Sequence, residues 1–216
     1  MNKAKIHTVY MTADGKRVPS VTTVLSELAK PALIHWAWNL GIKGLDYKVF
    51  RDELADVGSL AHRIILGDMK NETFVPDGDY TANQINLAEN CFLKYLEWKR
   101  QHKVEPICVE EPLVSELYAY GGTPDFFGSV DDHLTLMDFK TGKALYDEHW
   151  YQIGALAQLI REKFNIVSIA DFRLLNIGRD ESEKFEEKQK SSVSKEFDLF
   201  LSTLRIYKLK KEIKHD

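Results

Sequence analysis

The stretch YGGTPDFFGSVDDHLTLMDFKTGK, Tyr120 to Lys143, decides how this chain is read. Two apolar runs flank Asp131 and Asp132, and their residues alternate with the period of two that a half-buried strand requires. With VDDH as the turn of a hairpin, Val130 stands opposite His133, and counting outward brings Asp125 opposite Asp138. Cross-strand partners carry their side chains about 4.5–5.5 Å apart. Asp138 and Lys140 are two residues apart and so project from one face of the strand. Three charges therefore converge beside Phe126, Phe127 and Phe139. Opposed carboxylates repel, and burial makes this worse unless positive charge lies between them. Lys140 can neutralise one of them, whereas a divalent cation serves both. Asp and Lys are common on exposed strands, but the aromatic neighbours, and Leu134 and Leu136 on the face of Asp138, argue for burial.

Hard cations such as Mg²⁺ take carboxylate and carbonyl oxygens and commonly rest on one or two carboxylates, with a substrate phosphate completing the shell. The chemistry implied is phosphodiester hydrolysis, with the lysine orienting water or holding developing charge.

Outward from the hairpin, helices precede the sheet. KIHTVYMTADGKRV alternates around Asp14-Gly15 and predicts a small hairpin. Pro19 and Ser20 start a helix that Pro31 breaks, and ALIHWAWNLG forms a second. Residues 46–69 and about 79–103 are helical, joined by a loop. EPICVEEPLVSE, GTPDFFGSV and HLTLMDFK read as three successive strands, followed by a helix over about 147–164 and a fourth strand in VSIADFRLLNIG. A closing amphipathic helix turns Phe197, Phe200, Leu201, Leu204 and Tyr207 inward. The fold class is α/β: a mixed central sheet flanked by helices. Residues 1–103 form a mainly helical N-terminal extension packed on a core of residues 104–216, together one compact unit.

Composition narrows function without choosing it. The 216 residues are 44% hydrophobic, enough for one globular core. No apolar run approaches the roughly 20 residues of a membrane span, and MNKAKIHTVY lacks a signal-peptide apolar region. This points to a soluble, cytoplasmic protein. Cys91 and Cys108 have no metal-site spacing and read as core thiols. A net charge of -4 argues against gripping nucleic acid with the whole surface and leaves a local basic groove.

TPD, twelve residues, then DFKTG resembles the PD-(D/E)XK nuclease superfamily, and with it the restriction-endonuclease-like core. GSLAH, VEEPLVS, YGGTPDF, PSVTTVL and WYQIGALAQL are similar to motifs of its RecB-like exonuclease branch, which includes phage exonucleases and the mitochondrial genome maintenance exonuclease. The resemblance spans residues 19 to about 160. It implies catalytic Asp125, Asp138 and Lys140, and a Mg²⁺ or Mn²⁺ ion held by Asp125, Asp138, the Phe139 carbonyl, His62 and Glu110, with Glu111 as the alternative to Glu110. A histidine ligand favours Mn²⁺ relative to Mg²⁺. The branch's iron–sulfur members use four cysteines and this chain has two, so no cluster is expected. Gln152 falls on the glutamine of a Q-x-x-x-Y motif whose tyrosine is here Leu156, with Tyr151 adjacent.

Further DNA contacts are expected from Lys143 and from Ser20 and Thr22, with Thr23, at a helix start that also reads as plain capping. Trp36, with Trp38 and His35, could stack on unpaired bases or serve as core. The tail KLKKEIKH reads as a solvated helix end or a minor basic patch. The preferred reading is a metal-dependent DNA exonuclease of recombination, repair or phage DNA processing. It would act on single strands or duplex ends, beside a recombinase, single-strand-binding protein or helicase. The alternatives are a structure-specific endonuclease and a non-catalytic module that binds DNA ends or a helicase.

Overall fold

The computed structural model describes residues 8–76 and 78–215. Its order is β1 (Tyr10–Met11), β2 (Arg17–Val18), α1 (Val21–Leu25), α2 (Pro31–Ile42), α3 (Tyr47–Met69), α4 (Ala82–Lys99), β3 (Val104–Val109), β4 (Leu113–Ser115), β5 (Tyr120–Gly122), β6 (Phe126–Val130), β7 (His133–Lys140), α5 (Asp147–Phe164), β8 (Asp171–Asn176), β9 (Glu186–Lys190) and α6 (Ser194–His215). Local chemistry sets the helix starts. Asp46 accepts hydrogen bonds from the Lys48 and Val49 amides ahead of α3, and Thr81 and Gln84 form a reciprocal capping box at α4. Pro31, which has no amide to satisfy, opens α2.

Five strands form a mixed sheet in the order β3-β6-β7-β8-β9, parallel only between β7 and β8. A parallel pair needs a crossover, and α5 supplies it. Strand alternation then divides the core. Phe127, Leu136, Phe172 and Leu174 meet α1, α5 and α6, while Phe126, Met137, Phe139 and Leu175 meet α3 and α4. The sheet flanked by helices is the architecture the sequence predicts. The β6–β7 hairpin has the predicted register, from Val130 opposite His133 to Phe126 opposite Met137. Asp131 and Asp132 both have positive φ, as a two-residue primed turn requires.

Four details differ from expectation. EPICVEEPLVSE is two strands, because Glu110 turns to φ 55° and directs β4 into a separate pairing with β5. GTPDFFGSV is likewise interrupted at TPD, leaving Asp125 just before β6. The strand β9 was not expected: EEKQK has no apolar face, and its place comes from pairing with β8 at the sheet edge. The first helix is only five residues long. Of the N-terminal hairpin, residues 5–7 lie outside those described, and β1 pairs with β2 across the remainder. On α6, Phe200 and Leu204 are buried, and Phe197, Leu201 and Tyr207 are half-buried. Among the described residues no helix is long and apolar enough to cross a membrane.

Candidate active site

The open end of the β6–β7 hairpin gathers the charges. Asp125 Oδ2 accepts a hydrogen bond from the Phe139 amide at 2.8 Å and lies 3.7 Å from His62 Nδ1 on α3. Asp138 is 1% exposed and points to the α5 face, where its Oδ1 accepts from Gln152 Nε2 at 3.1 Å. Lys140 Nζ makes an ion pair with Asp138 Oδ2 and donates to Gln152 Oε1 at 3.1 Å. Asp138, Gln152 and Lys140 thus close a ring. Despite the charge contact, Asp138 Oδ2 has no partner with hydrogen-bond geometry.

The electrostatics follow from this packing. Burial pushes the Asp138 carboxyl above the ordinary aspartate range; Lys140 opposes that shift and the charge of Asp125 adds to it. Next to the ring, His149 Nδ1 accepts from the Tyr146 amide at 3.2 Å. Burial, followed by the positive charge of Lys140, lowers His149 to about 4, so its ring is neutral at neutral pH. Lys30, at the start of α2, also acts on His149 through its charge.

Oxygen donors converge on the same place. The carbonyls of Leu134 and Lys140 accept from Ala170 and Ile177 on the β8 side of β7. A residue's N–H and C=O share one strand edge, so the Phe139 carbonyl faces the β6 side with Asp125. Glu110 adjoins the site through its backbone, its amide donating to the carbonyls of Pro124 and Asp125, while its carboxylate pairs with Lys70 at 2.9 Å. Glu111 is drawn to α5, where Lys163 holds it at 2.7 Å and lowers its pKa. Among the described residues no three His, Cys, Asp or Glu side chains form a group that could hold a metal ion. The donor set is two carboxylates and a carbonyl, with Asp138 Oδ2 held by the charge of Lys140 alone. That suits a hard cation whose shell a substrate phosphate completes.

The other expected contacts are dispersed. Lys143 is exposed in the loop after β7. Ser20 caps α1 by accepting from Thr23 N, beside an exposed Thr22. Tyr151 packs on the α5-side core, and Leu156 is buried in it. Trp36 is half-buried against Phe50, 6.2 Å between ring centroids. Sequence reasoning missed His149 and Lys30. The spacing of His149 and Gln152, three residues apart on one helix, was the available signal. It also gave no role to Gly58. A Cβ there would meet Thr141 Oγ1 at 2.8 Å, so α3 approaches the turn after β7 this closely one helical turn before His62.

No family model matches the chain, and no curated protein matches it. Among solved structures, a candidate exonuclease from Eubacterium rectale aligns at a TM-score of 0.47 and 9% identity, covering 69% of this chain and 64% of its own. An alkaline exonuclease from Laribacter hongkongensis aligns at a TM-score of 0.36 and 13% identity, covering 76% and 92%. The chain therefore spans just under two thirds of the first of these. Such scores are too low to transfer an activity, and the site geometry stands on its own.

Proposed function

We propose that this chain is a metal-dependent deoxyribonuclease that hydrolyses phosphodiester bonds, acting as an exonuclease on DNA ends. The observation that carries this reading is the buried Asp138, opposed by Asp125 and locked to Lys140 through Gln152. Two carboxylates set against each other, one of them buried, serve no packing purpose.

Asp125, Asp138 and the Phe139 carbonyl would hold Mg²⁺ or Mn²⁺, with His62 and Glu110 at the rim. The cation, when bound, supplies Lewis acidity to the phosphoryl group and to water. The chain's own residues do the rest. The Phe139 amide fixes the Asp125 carboxylate in orientation. Gln152 donates to Asp138 and accepts from Lys140, so it holds carboxylate and ammonium in register. Lys140 places positive charge where negative charge develops on the phosphoryl oxygens. Neutral His149 adds no competing cation beside Lys140, and with Nδ1 accepting from the Tyr146 amide its Nε2 carries the hydrogen and is a hydrogen-bond donor. Recombination, repair and phage DNA processing are the settings in which such an activity is used.

The test is release of nucleotides from end-labelled single- and double-stranded linear DNA, beside a closed circle, with Mg²⁺ or Mn²⁺ and with Lys140→Ala as control. Loss of linear DNA alone, abolished in the variant, supports the exonuclease. Cutting of the circle replaces it with an endonuclease of the same chemistry. Binding without cutting under all conditions overturns the enzymatic reading in favour of a DNA-binding module.

A further inference from the structure

Helix α5 opens on Tyr146, and neither capping nor burial accounts for a tyrosine there. Its side chain makes no capping hydrogen bond, at a position that Ser, Thr, Asp or Asn fills best. The side chain is 53% exposed, and its aromatic ring meets the His149 imidazole edge-on, 5.6 Å between centroids. Single exposed aromatics are common, so it is the place of this one that matters. His149 stands one turn before Gln152 on α5, and Gln152 accepts from Lys140 Nζ. Tyr146 thus lies at the exposed edge of the Asp138, Gln152 and Lys140 ring.

The segment joining Lys140 to Tyr146 is pinned at both ends. At its start, Asn176, buried at the end of β8, donates from Nδ2 to the Gly142 carbonyl at 2.9 Å. At its end, Leu145 is buried in the α5-side core and the Tyr146 amide donates to His149 Nδ1. Between these anchors Lys143 is exposed, three residues after Lys140 and three before Tyr146. The charges then sort what each side chain can hold. Asp147 and Glu148 occupy the first turn of α5 and turn phosphate away from its N-terminus, which leaves the face of Tyr146 to an uncharged group. Phosphate falls instead to Lys143. A cation and an aromatic face side by side are what sequence-tolerant proteins use to hold single strands, phosphate on the one and base on the other.

We propose that Lys143 and Tyr146 form a nucleotide subsite beside the catalytic ring, in which Lys143 takes a backbone phosphate and Tyr146 stacks on the base of an unpaired nucleotide. A base inside a duplex has both faces covered by its neighbours and must be unstacked before it can reach such a platform. The subsite therefore favours single strands and frayed ends over closed duplex. This inference rests on the nuclease reading for its substrate and adds the strand preference to it.

The test is equilibrium binding of fluorescent single-stranded oligonucleotides, one with bases and one abasic throughout, with Ca²⁺ in place of Mg²⁺. Tyr146 and Lys143 are both exposed, so their variants are expected to fold. Wild type and Tyr146→Phe should bind the intact strand about ten-fold more tightly than the abasic one. Tyr146→Ala should lose that difference, hold the abasic strand as wild type does, and bind a duplex closed by hairpins at both ends unchanged. Lys143→Ala should weaken both strands alike and lower the salt dependence. A base preference that survives Tyr146→Ala overturns the proposal, as does an equal loss on both strands, which would make Tyr146 a prop of the loop. A wild type that binds neither strand overturns it too. Base-dependent binding through Tyr146 without cleavage of any DNA in Mg²⁺ or Mn²⁺ upholds the subsite and removes the nuclease reading alone. Cleavage together with binding indifferent to Tyr146 removes the subsite alone.

Discussion

The two ends of the β6–β7 hairpin carry aspartates in opposite situations. At the turn, Asp131 Oδ2 pairs with His102 Nδ1 at 2.6 Å and its Oδ1 accepts from the Lys103 amide at 2.9 Å, while Asp132 pairs with Lys103 Nζ at 2.9 Å. His102 and then the Lys103 amide hold Asp131 below the usual carboxylate range. At the open end, burial holds Asp138 above it, and its Oδ2 lacks a hydrogen bond. One hairpin thus contains a carboxylate the fold satisfies and a carboxylate the fold penalises. A group kept ionisable at a cost to stability is where a function is to be sought.

The largest effect should separate these two ends. Asp138→Asn and Lys140→Ala are each expected to reduce metal-dependent DNA cleavage by about 10³-fold, the scale of losing a charged group at the reacting centre. Asp131→Asn should cut at the wild-type rate. Stability should move in the opposite sense. Because folding raises the Asp138 pKa, its ionised form costs stability above the unfolded value of 3.8, and the amide removes that cost. Melting curves should therefore show Asp138→Asn more stable than wild type. If Asp138→Asn melts lower, as Asp131→Asn is expected to do, the contrast between the two ends is broken.

His149 gives the next effect, and its window is separate. Its folded pKa of about 4 lies below the unfolded 6.5, so below 6.5 the unfolded chain takes up the proton first. The stability from a neutral His149 is complete above pH 6.5 and falls as pH drops toward 4, by up to about 3 kcal/mol. Urea unfolding at steps between pH 7 and 4 should show this slope, and His149→Gln should flatten it. An unchanged slope in the variant would remove His149 from the electrostatic frame of the site.

Much of this was legible because it rests on short-range rules. The period of two, together with a turn at Asp131-Asp132, fixed the hairpin register, and the register brought Asp125 to Asp138 before any tertiary contact was known. The helix boundary at Pro31 follows from its missing amide, whereas the start of α4 was expected at about residue 79 and is set at Ala82 by the Thr81 cap. What escaped depended on distant partners. The strand β9 is half-exposed and polar, and only its pairing with β8 makes it a strand. Glu110 takes a left-handed conformation that a non-glycine residue rarely adopts, and its amide reaches Pro124 and Asp125 across the chain. Within the site, Lys140 and Gln152 could be nominated from motifs. The hydrogen bonds that make them a ring, and the burial that silences His149, belong to the packing of α5 on β7.

The smallest expected effect tests why the two ends differ. Asp131 sits at the surface, so its partners act through water, and their contribution is lost as pH falls through the depressed pKa, below about 3.8. Salt should weaken it, since screening at 1 M acts over about 3 Å. The melting difference between wild type and Asp131→Asn is expected to be a few degrees at most in low salt and to shrink in 1 M NaCl. Asp138 is closed off from solvent ions, so its difference from Asp138→Asn should persist at the same salt concentration. Should both differences collapse together, water and ions reach Asp138 freely. Burial would then cease to explain its raised pKa, and the case for a penalised buried carboxylate that a cation would relieve would fall with it.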